Sequence, residues 1–292
     1  MNTRRRAFTL AELLTVLAIV AVLAGVLFPA FLSAKSAVKR THCSSNMQQA
    51  QKATALYMSD YDDYFMPVNH RPAEPPNARL DRTWVQLILP YVGRSFSIFT
   101  CPADESVHQA QEASFDQDLV PGDMYGQYYS ASMHVNMGYN YLYLAPIVFR
   151  SVNGRGQYVS EPRLGTDISD PSRTLLFVDS IWDRTPDGTP VGGGNWLVVP
   201  PCRFEGTPRD MTDTFHLDGI PYTPFFGWKI SQENSPRRYG NAWPWHMGRI
   251  NLVHVDGSVT SVSPSKLASG CDLRDSWRGL INDPGQYMWD TH

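Results

Sequence analysis

The signatures of an enzyme are missing from this chain. It has no His-Glu-x-x-His pair for a catalytic zinc and no Gly-x-Ser-x-Gly elbow for a nucleophilic serine, and Gly192 to Gly194 lack the Lys-Ser/Thr of a phosphate loop. The four cysteines, Cys43, Cys101, Cys202 and Cys271, show no Cys-x-x-Cys spacing, which argues against a zinc knuckle or a thioredoxin-like site. Charge is sparse, at 18% of 292 residues, and a net charge of -3 gives no field that would draw in nucleic acid. A mean hydropathy of -0.30 excludes a polytopic membrane protein. No internal repeat and no low-complexity tract occurs. What is present is 12% aromatic residues with 22 Pro and 21 Gly, too aromatic for a disordered chain and suited to many turns and short strands.

The N-terminus breaks this average. Arg4, Arg5 and Arg6 precede residues 7 to 34, whose one ionisable side chain is Glu12. The run Leu13 to Leu32 holds about 20 residues, roughly 30 Å as a helix, which matches the apolar thickness of a bilayer. Basic residues before it and a polar chain after it place residues 1 to 6 in the cytoplasm and everything beyond about residue 35 outside. A secretory signal peptide would have a shorter apolar core ending at a small-residue cleavage site, whereas this run continues into an amphipathic helix. A plain signal anchor explains length and orientation but gives no reason for a carboxylate near hydrocarbon, which is costly unless paired.

The residues RRRAFTLAELLTVLAIV resemble the N-terminus of type IV prepilins and their pseudopilin relatives: a short basic leader, a small residue, then Phe-Thr-Leu-x-Glu and a long apolar run. The resemblance implies a leader over residues 1–7, cleavage by a prepilin peptidase between Ala7 and Phe8, and N-methylation of Phe8. The family usually has Gly before the cut, where this chain has Ala7. Assembly would then rest on Phe8, on Glu12, whose carboxylate neutralises the terminal amine of a neighbouring subunit, and on Pro29, which removes one helix hydrogen bond and lets the segment bend.

Beyond Ser33 the positions Cys43, Met47, Ala50, Thr54, Tyr57 and Tyr61 recur at steps of three and four, one face of a helix. The expected helix therefore runs from about Phe8 to about Asp62. Residues 8–33 form its transmembrane and assembly half, and residues 34–65 its amphipathic continuation. Residues 66–292 are expected to form a β-rich extracytoplasmic domain, with strands at Tyr139 to Phe149, Thr174 to Ser180, Trp196 to Val199, Ile250 to Val255 and Ser258 to Val262. Residues 183 to 195 and 200 to 245 read as long loops. The expected fold class is α+β: one long helix packed on an antiparallel sheet.

A second resemblance covers the rest of the chain. Cys43-Ser-Ser-Asn46, Tyr57-Met-Ser-Asp-Tyr61, Trp84, Leu89-Pro-Tyr91 and Cys101-Pro102, followed by His246 and, nine residues later, Asp256-Gly257, are similar to a family of prepilin-like proteins with a C-terminal H-x9-DG motif. Residues 246–262 read as a hairpin with Asp256-Gly257 as its two-residue turn. The alternative to a plain turn is a cation site in which Asp256, His246 and Asp179 converge; no cofactor is required, and Ca2+ is the one that pseudopilins resembling this chain bind. Four cysteines allow three pairings; Cys43 with Cys101 is the preferred one, leaving Cys202 and Cys271. Asp60, Asp62 and Asp63 read as a solvated helix end, and Trp182, Trp196, Trp228, Trp243 and Trp245 as core aromatics or a carbohydrate or partner surface.

Two functions follow as expectations. The first is a structural subunit of a type IV pilus or type II secretion pseudopilus, with prepilin peptidase, other pilin or pseudopilin subunits, the inner membrane and the assembly machinery as partners. The second is a membrane-anchored binding or adhesion protein that never polymerises. Neither requires an enzyme activity, and neither involves nucleic acid.

Overall fold

The computed structural model describes residues 9–70, 82–93, 95–106, 129–152, 155–202, 216–217, 220–221, 228, 230–273 and 281–290. The chain opens on helix α1, Leu10–Asp60, 51 residues and about 77 Å long. Pro29 lies inside it and leaves the Gly25 carbonyl without its helix donor, yet the helix continues through the proline, and Ser33 Oγ donates to Pro29 O at 3.0 Å.

Among the described residues twelve short strands follow: β1 Asn69–His70, β2 Arg82–Thr83, β3 Met137–Tyr139, β4 Ile147–Val152, β5 Arg155–Ser160, β6 Leu175–Asp179, β7 Asp183–Arg184, β8 Pro190–Val191, β9 His216–Leu217, β10 Ile220–Pro221, β11 Ile250–His254 and β12 Val259–Val262. The central sheet is four-stranded and antiparallel in the order β12-β11-β6-β3; the other strands pair two by two as ribbons. The molecule is thus α+β, a long apolar helix followed by an antiparallel sheet domain with loops.

The second half of α1 packs across one face of that sheet, burying Cys43, Asn46, Met47, Ala50, Ala53, Thr54 and Tyr57. Burying a side chain the size of Met or Tyr contributes about 1.5–3 kcal/mol, enough to fix the helix face that the sequence periodicity marks out. Tyr61 lies outside this stripe, half exposed and stacked on Tyr57 with ring centroids 4.2 Å apart. Trp84 is wholly buried in the same core, against Phe177, Tyr139 and Phe99. The opposite face of the sheet holds a second core around Leu175, Val178, Leu252, Trp228, Tyr287 and Trp289. β6 is buried along its whole length because both faces are covered, which is why LLFVD reads as a continuous apolar run.

Three expectations need correcting. Tyr139 to Phe149 is not one strand: after β3 the chain makes a one-turn helix, Tyr141–Leu144, before β4 begins. Asn140 causes the break, since its side-chain amide donates to the carbonyls of Leu175 and Trp289 while its own carbonyl accepts from Leu144 N–H and starts the turn. Trp196 to Val199 is not a strand either; it lies beside β3 and makes a single parallel bridge between Leu197 and Tyr139. Gly138 permits that approach, because a Cβ there would overlap the Val198 side chain. Thirdly, the hairpin loop is longer than two residues. His254 N–H donates to Ser258 O at 2.9 Å and Gly257 N–H to His254 O at 3.0 Å, which leaves Val255, Asp256 and Gly257 as a three-residue loop with Gly257 at a φ of 90°. This is the hairpin class that places glycine at the left-handed position.

Candidate functional site

The first region of interest is the beginning of α1. Thr9 caps the helix: its Oγ1 accepts from Glu12 N–H at 3.2 Å, while Glu12 Oε2 accepts from Thr9 N–H and from Thr9 Oγ1, each at 2.8 Å. This reciprocal capping box is written in the sequence as Thr-x-x-Glu, a signal that a reading focused on the charge of Glu12 passes over. Glu12 therefore carries a role within its own chain, as the acceptor for the N–H of the cap residue Thr9. Ala7 and Phe8 lie outside the described residues. From Leu10 to Leu32 the apolar side chains face outward all round; Leu10, Val22, Val26 and Phe31 are between 65% and 76% exposed. An apolar surface that encircles a helix is built for hydrocarbon or for other helices, not for water. α1 is the one helix among the described residues long and apolar enough to cross a membrane.

The second region is a buried polar cluster where α1, the sheet and two loops meet. Cys43, on the packed face of α1, forms a disulfide with Cys101, whose Cα lies 5.3 Å away. His246 Nε2 sits 3.6 Å from Cys101 Sγ and 3.5 Å from Asp179 Oδ2, and Cys43, Cys101, His246 and Asp179 are all at most 4% exposed. Asp179 ends β6, and its Oδ2 accepts from Asn251 N–H of β11 at 2.7 Å. Three buried atoms here, Asp179 Oδ1, His246 Nδ1 and Asn251 Oδ1, have no hydrogen-bond partner among the described residues. Cys101 is held in turn by its own N–H, which donates to Asn136 Oδ1 at 2.9 Å, and Asn136 Nδ2 donates to Asp104 Oδ2 at 2.7 Å.

Burial sets the electrostatics of this cluster. It pushes the His246 imidazole down to about 4, helped by the positive charges of Arg40 and Lys39, and pushes the Asp179 carboxyl well above the usual carboxylate range against the opposing Asn251 N–H. Both directions disfavour charge, so a neutral pair is preferred over an ion pair.

Of the three residues expected to converge, His246 and Asp179 meet and Asp256 stands apart. His246 precedes β11 and Asp256 follows it, and four strand steps alone separate them by about 13 Å. Asp256 is exposed, and its Oδ1 accepts from Ser258 N–H at 2.8 Å and Ser258 Oγ at 2.7 Å, the bonding of a turn aspartate. The participation of Cys101 and Asn251 was not foreseen; a lone Asn inside the apolar run INLVH is the signal that could have flagged the latter.

Cys202 and Cys271 form a second disulfide, with Cα atoms 5.7 Å apart, on the far side of the sheet. Among the tryptophans, Trp228 is buried, while Trp182, Trp196, Trp243 and Trp245 are part-buried; Trp245 Nε1 donates to Ser180 O at 2.8 Å, and Arg184 stacks over Trp243. The carboxylates at the end of α1 are exposed, with Asp60 accepting from Tyr91 OH at 2.7 Å and Asp63 from Thr166 N–H at 3.0 Å.

No curated protein and no solved structure matches the chain. Residues 2–28 match the family described as Prokaryotic N-terminal methylation motif, so the exposed apolar half of α1 begins in a prepilin-type N-terminal segment.

Proposed function

We propose that the chain is a subunit of a type IV pilus-like or type II secretion pseudopilus-like filament, processed by prepilin peptidase at Ala7–Phe8. The observation that carries this reading is the two-part surface of α1: apolar and bare from Leu10 to Leu32, then packed on its own domain from Cys43 to Tyr57. In the inner membrane the bare half meets lipid; in a filament it meets the same half of neighbouring copies. Residues 1–7 are the leader, residues 8–33 the transmembrane and assembly helix, residues 34–65 its amphipathic continuation, helical as far as Asp60, and residues 66–292 the extracytoplasmic domain. Phe8 supplies the new terminal amine and Glu12 its partner, so assembly trades the Thr9 cap for a charge pair between subunits.

The test is Glu12→Leu. Removing a charge from hydrocarbon leaves membrane insertion intact, while filament assembly falls because the amine has lost its partner. Filaments sheared from cells and probed for this chain read the outcome. A normal filament yield from Glu12→Leu, or an intact mass that retains residues 1–7 in peptidase-competent cells, favours the non-polymerising anchored binding protein instead.

A further inference from the structure

The disposition of Cys43, Cys101, His246 and Asp179 exceeds what a structural disulfide needs. One Cys sulfur from each partner and one histidine nitrogen lie within 4.8 Å of one another, all buried. A histidine that relays protons between a cysteine and a carboxylate uses both ring nitrogens, one for each neighbour. Here both neighbours face the same nitrogen, Nε2, and Nδ1 has no partner among the described residues. Convergence on a single point is the arrangement of ligands around an ion.

The distances agree with that reading. With Zn–S near 2.3 Å and Zn–N and Zn–O near 2.0 Å, tetrahedral angles place a nitrogen about 3.6 Å from a sulfur and about 3.3 Å from an oxygen. The observed separations are 3.6 Å for His246 Nε2 to Cys101 Sγ and 3.5 Å for His246 Nε2 to Asp179 Oδ2. The two sulfurs must part, from a covalent bond to about 3.8 Å, and Asp179, which lies outside the set of ligand atoms within 4.8 Å of one another, must swing towards them. Two thiolates, an imidazole and a carboxylate suit a borderline-soft divalent ion and not Ca2+, whose ligands are all oxygens.

We propose that Cys43, Cys101 and His246, with Asp179 at the fourth position, form a Zn2+ site that is closed while the disulfide stands and opens when it is reduced. A dithiol reductant supplies two electrons and two protons to the Cys43–Cys101 bond and becomes a disulfide itself, leaving two thiols. Zn2+ then displaces both thiol protons to solvent and takes the two thiolates. In either state α1 stays tied to the domain, by a covalent bond or by the ion.

The experiment uses the full chain in detergent micelles, reduced anaerobically with a phosphine and titrated with Co2+ as the spectroscopic probe. The expected result is one Co2+ per chain, with the intense d–d bands of tetrahedral coordination and thiolate charge transfer, displaced by Zn2+ and absent from the oxidised chain. Because reduction also frees Cys202 and Cys271, the ligand variants locate the site: His246→Gln abolishes the tetrahedral spectrum, and Asp179→Asn weakens binding at least about 10-fold. A reduced chain that gives no tetrahedral bands overturns the proposal, as does a spectrum unchanged in His246→Gln. Loss of the sheet's circular dichroism on reduction that Zn2+ does not restore overturns it equally.

Discussion

Replacing Gly257 with Ala tests the link between the C-terminal hairpin and α1. Gly257 has a φ of 90°, which an L side chain adopts at a cost of about 1–3 kcal/mol. The added Cβ would also come within 2.8 Å of Gln51 Oε1 and 3.2 Å of its Cδ. Gln51 cannot simply withdraw, because its Nε2 donates to Val255 O at 2.8 Å across the helix–hairpin contact; giving up that bond adds about 1 kcal/mol. The expected loss is therefore about 2–4 kcal/mol, read as a lower urea midpoint at unchanged m from the tryptophan fluorescence of the full chain in micelles. Gln51→Ala alone should cost about 1 kcal/mol, and in that background Gly257→Ala should cost about 1 kcal/mol less, since the clash has gone. A cost below about 0.5 kcal/mol for Gly257→Ala would refute the contact and the left-handed glycine together, and no relief from Gln51→Ala would refute the contact.

Asp256→Asn should be nearly neutral, because an amide oxygen can still accept from Ser258, whereas Asp256→Ala should cost about 1 kcal/mol; the same urea titration separates them. Cys43→Ala with Cys101→Ala opens a loop of 58 residues and should cost about 4 kcal/mol, with hydrogen exchange rising first over the packed half of α1; a loss under about 1 kcal/mol would mean that the loop ends stay together without the bond. His254 is buried with Nδ1–H donating to Arg173 O at 2.9 Å, and burial holds its pKa below the usual 6.5. Below that value the unfolded chain takes up a proton that the folded chain refuses, so stability should fall as pH drops from about 7.5 to about 5.5. His254→Gln should flatten part of that decline, and an identical pH profile in the variant would count against the buried neutral imidazole.

The parts of the fold that were legible in the sequence are those where burial acts on one stripe or one run. α1 announces itself twice, by an uncharged run of bilayer length and by the spacing of Cys43, Met47, Ala50, Thr54 and Tyr57, because one helix face has one environment. β6 and β11 are legible because both faces are covered and most of their residues are apolar. The stretch from Tyr139 to Phe149 misleads for the same reason: a buried one-turn helix and a buried strand ask for the same side chains. The deciding residue, Asn140, acts through carbonyls of Leu175 and Trp289 that are distant in sequence. Asp179 with His246 was within reach, as two polar residues bordering apolar strands. Asp256 stays apart from them because the length of β11 lies between it and His246.

The nine-residue interval between His246 and Asp256 acquires a physical meaning from the way β11 lies on α1. His246 touches the disulfide that Cys43 makes from the helix; Asn251 Nδ2 donates to Arg40 O at 3.5 Å; Val255 O accepts from Gln51 Nε2, and Gly257 lies against the same glutamine. Helix and strand run in the same sense: from Arg40 to Gln51 the helix advances about 16 Å, and from Asn251 to Val255 the strand advances about 13 Å. The two rulers nearly match, so one strand length joins a contact near Cys43 to another near Gln51, two helical turns further on. An inserted residue in β11 would move Gly257 off Gln51 or His246 off the disulfide, and it would turn the side chains beyond it to the opposite face of the sheet. The spacing thus registers the sheet against the helix.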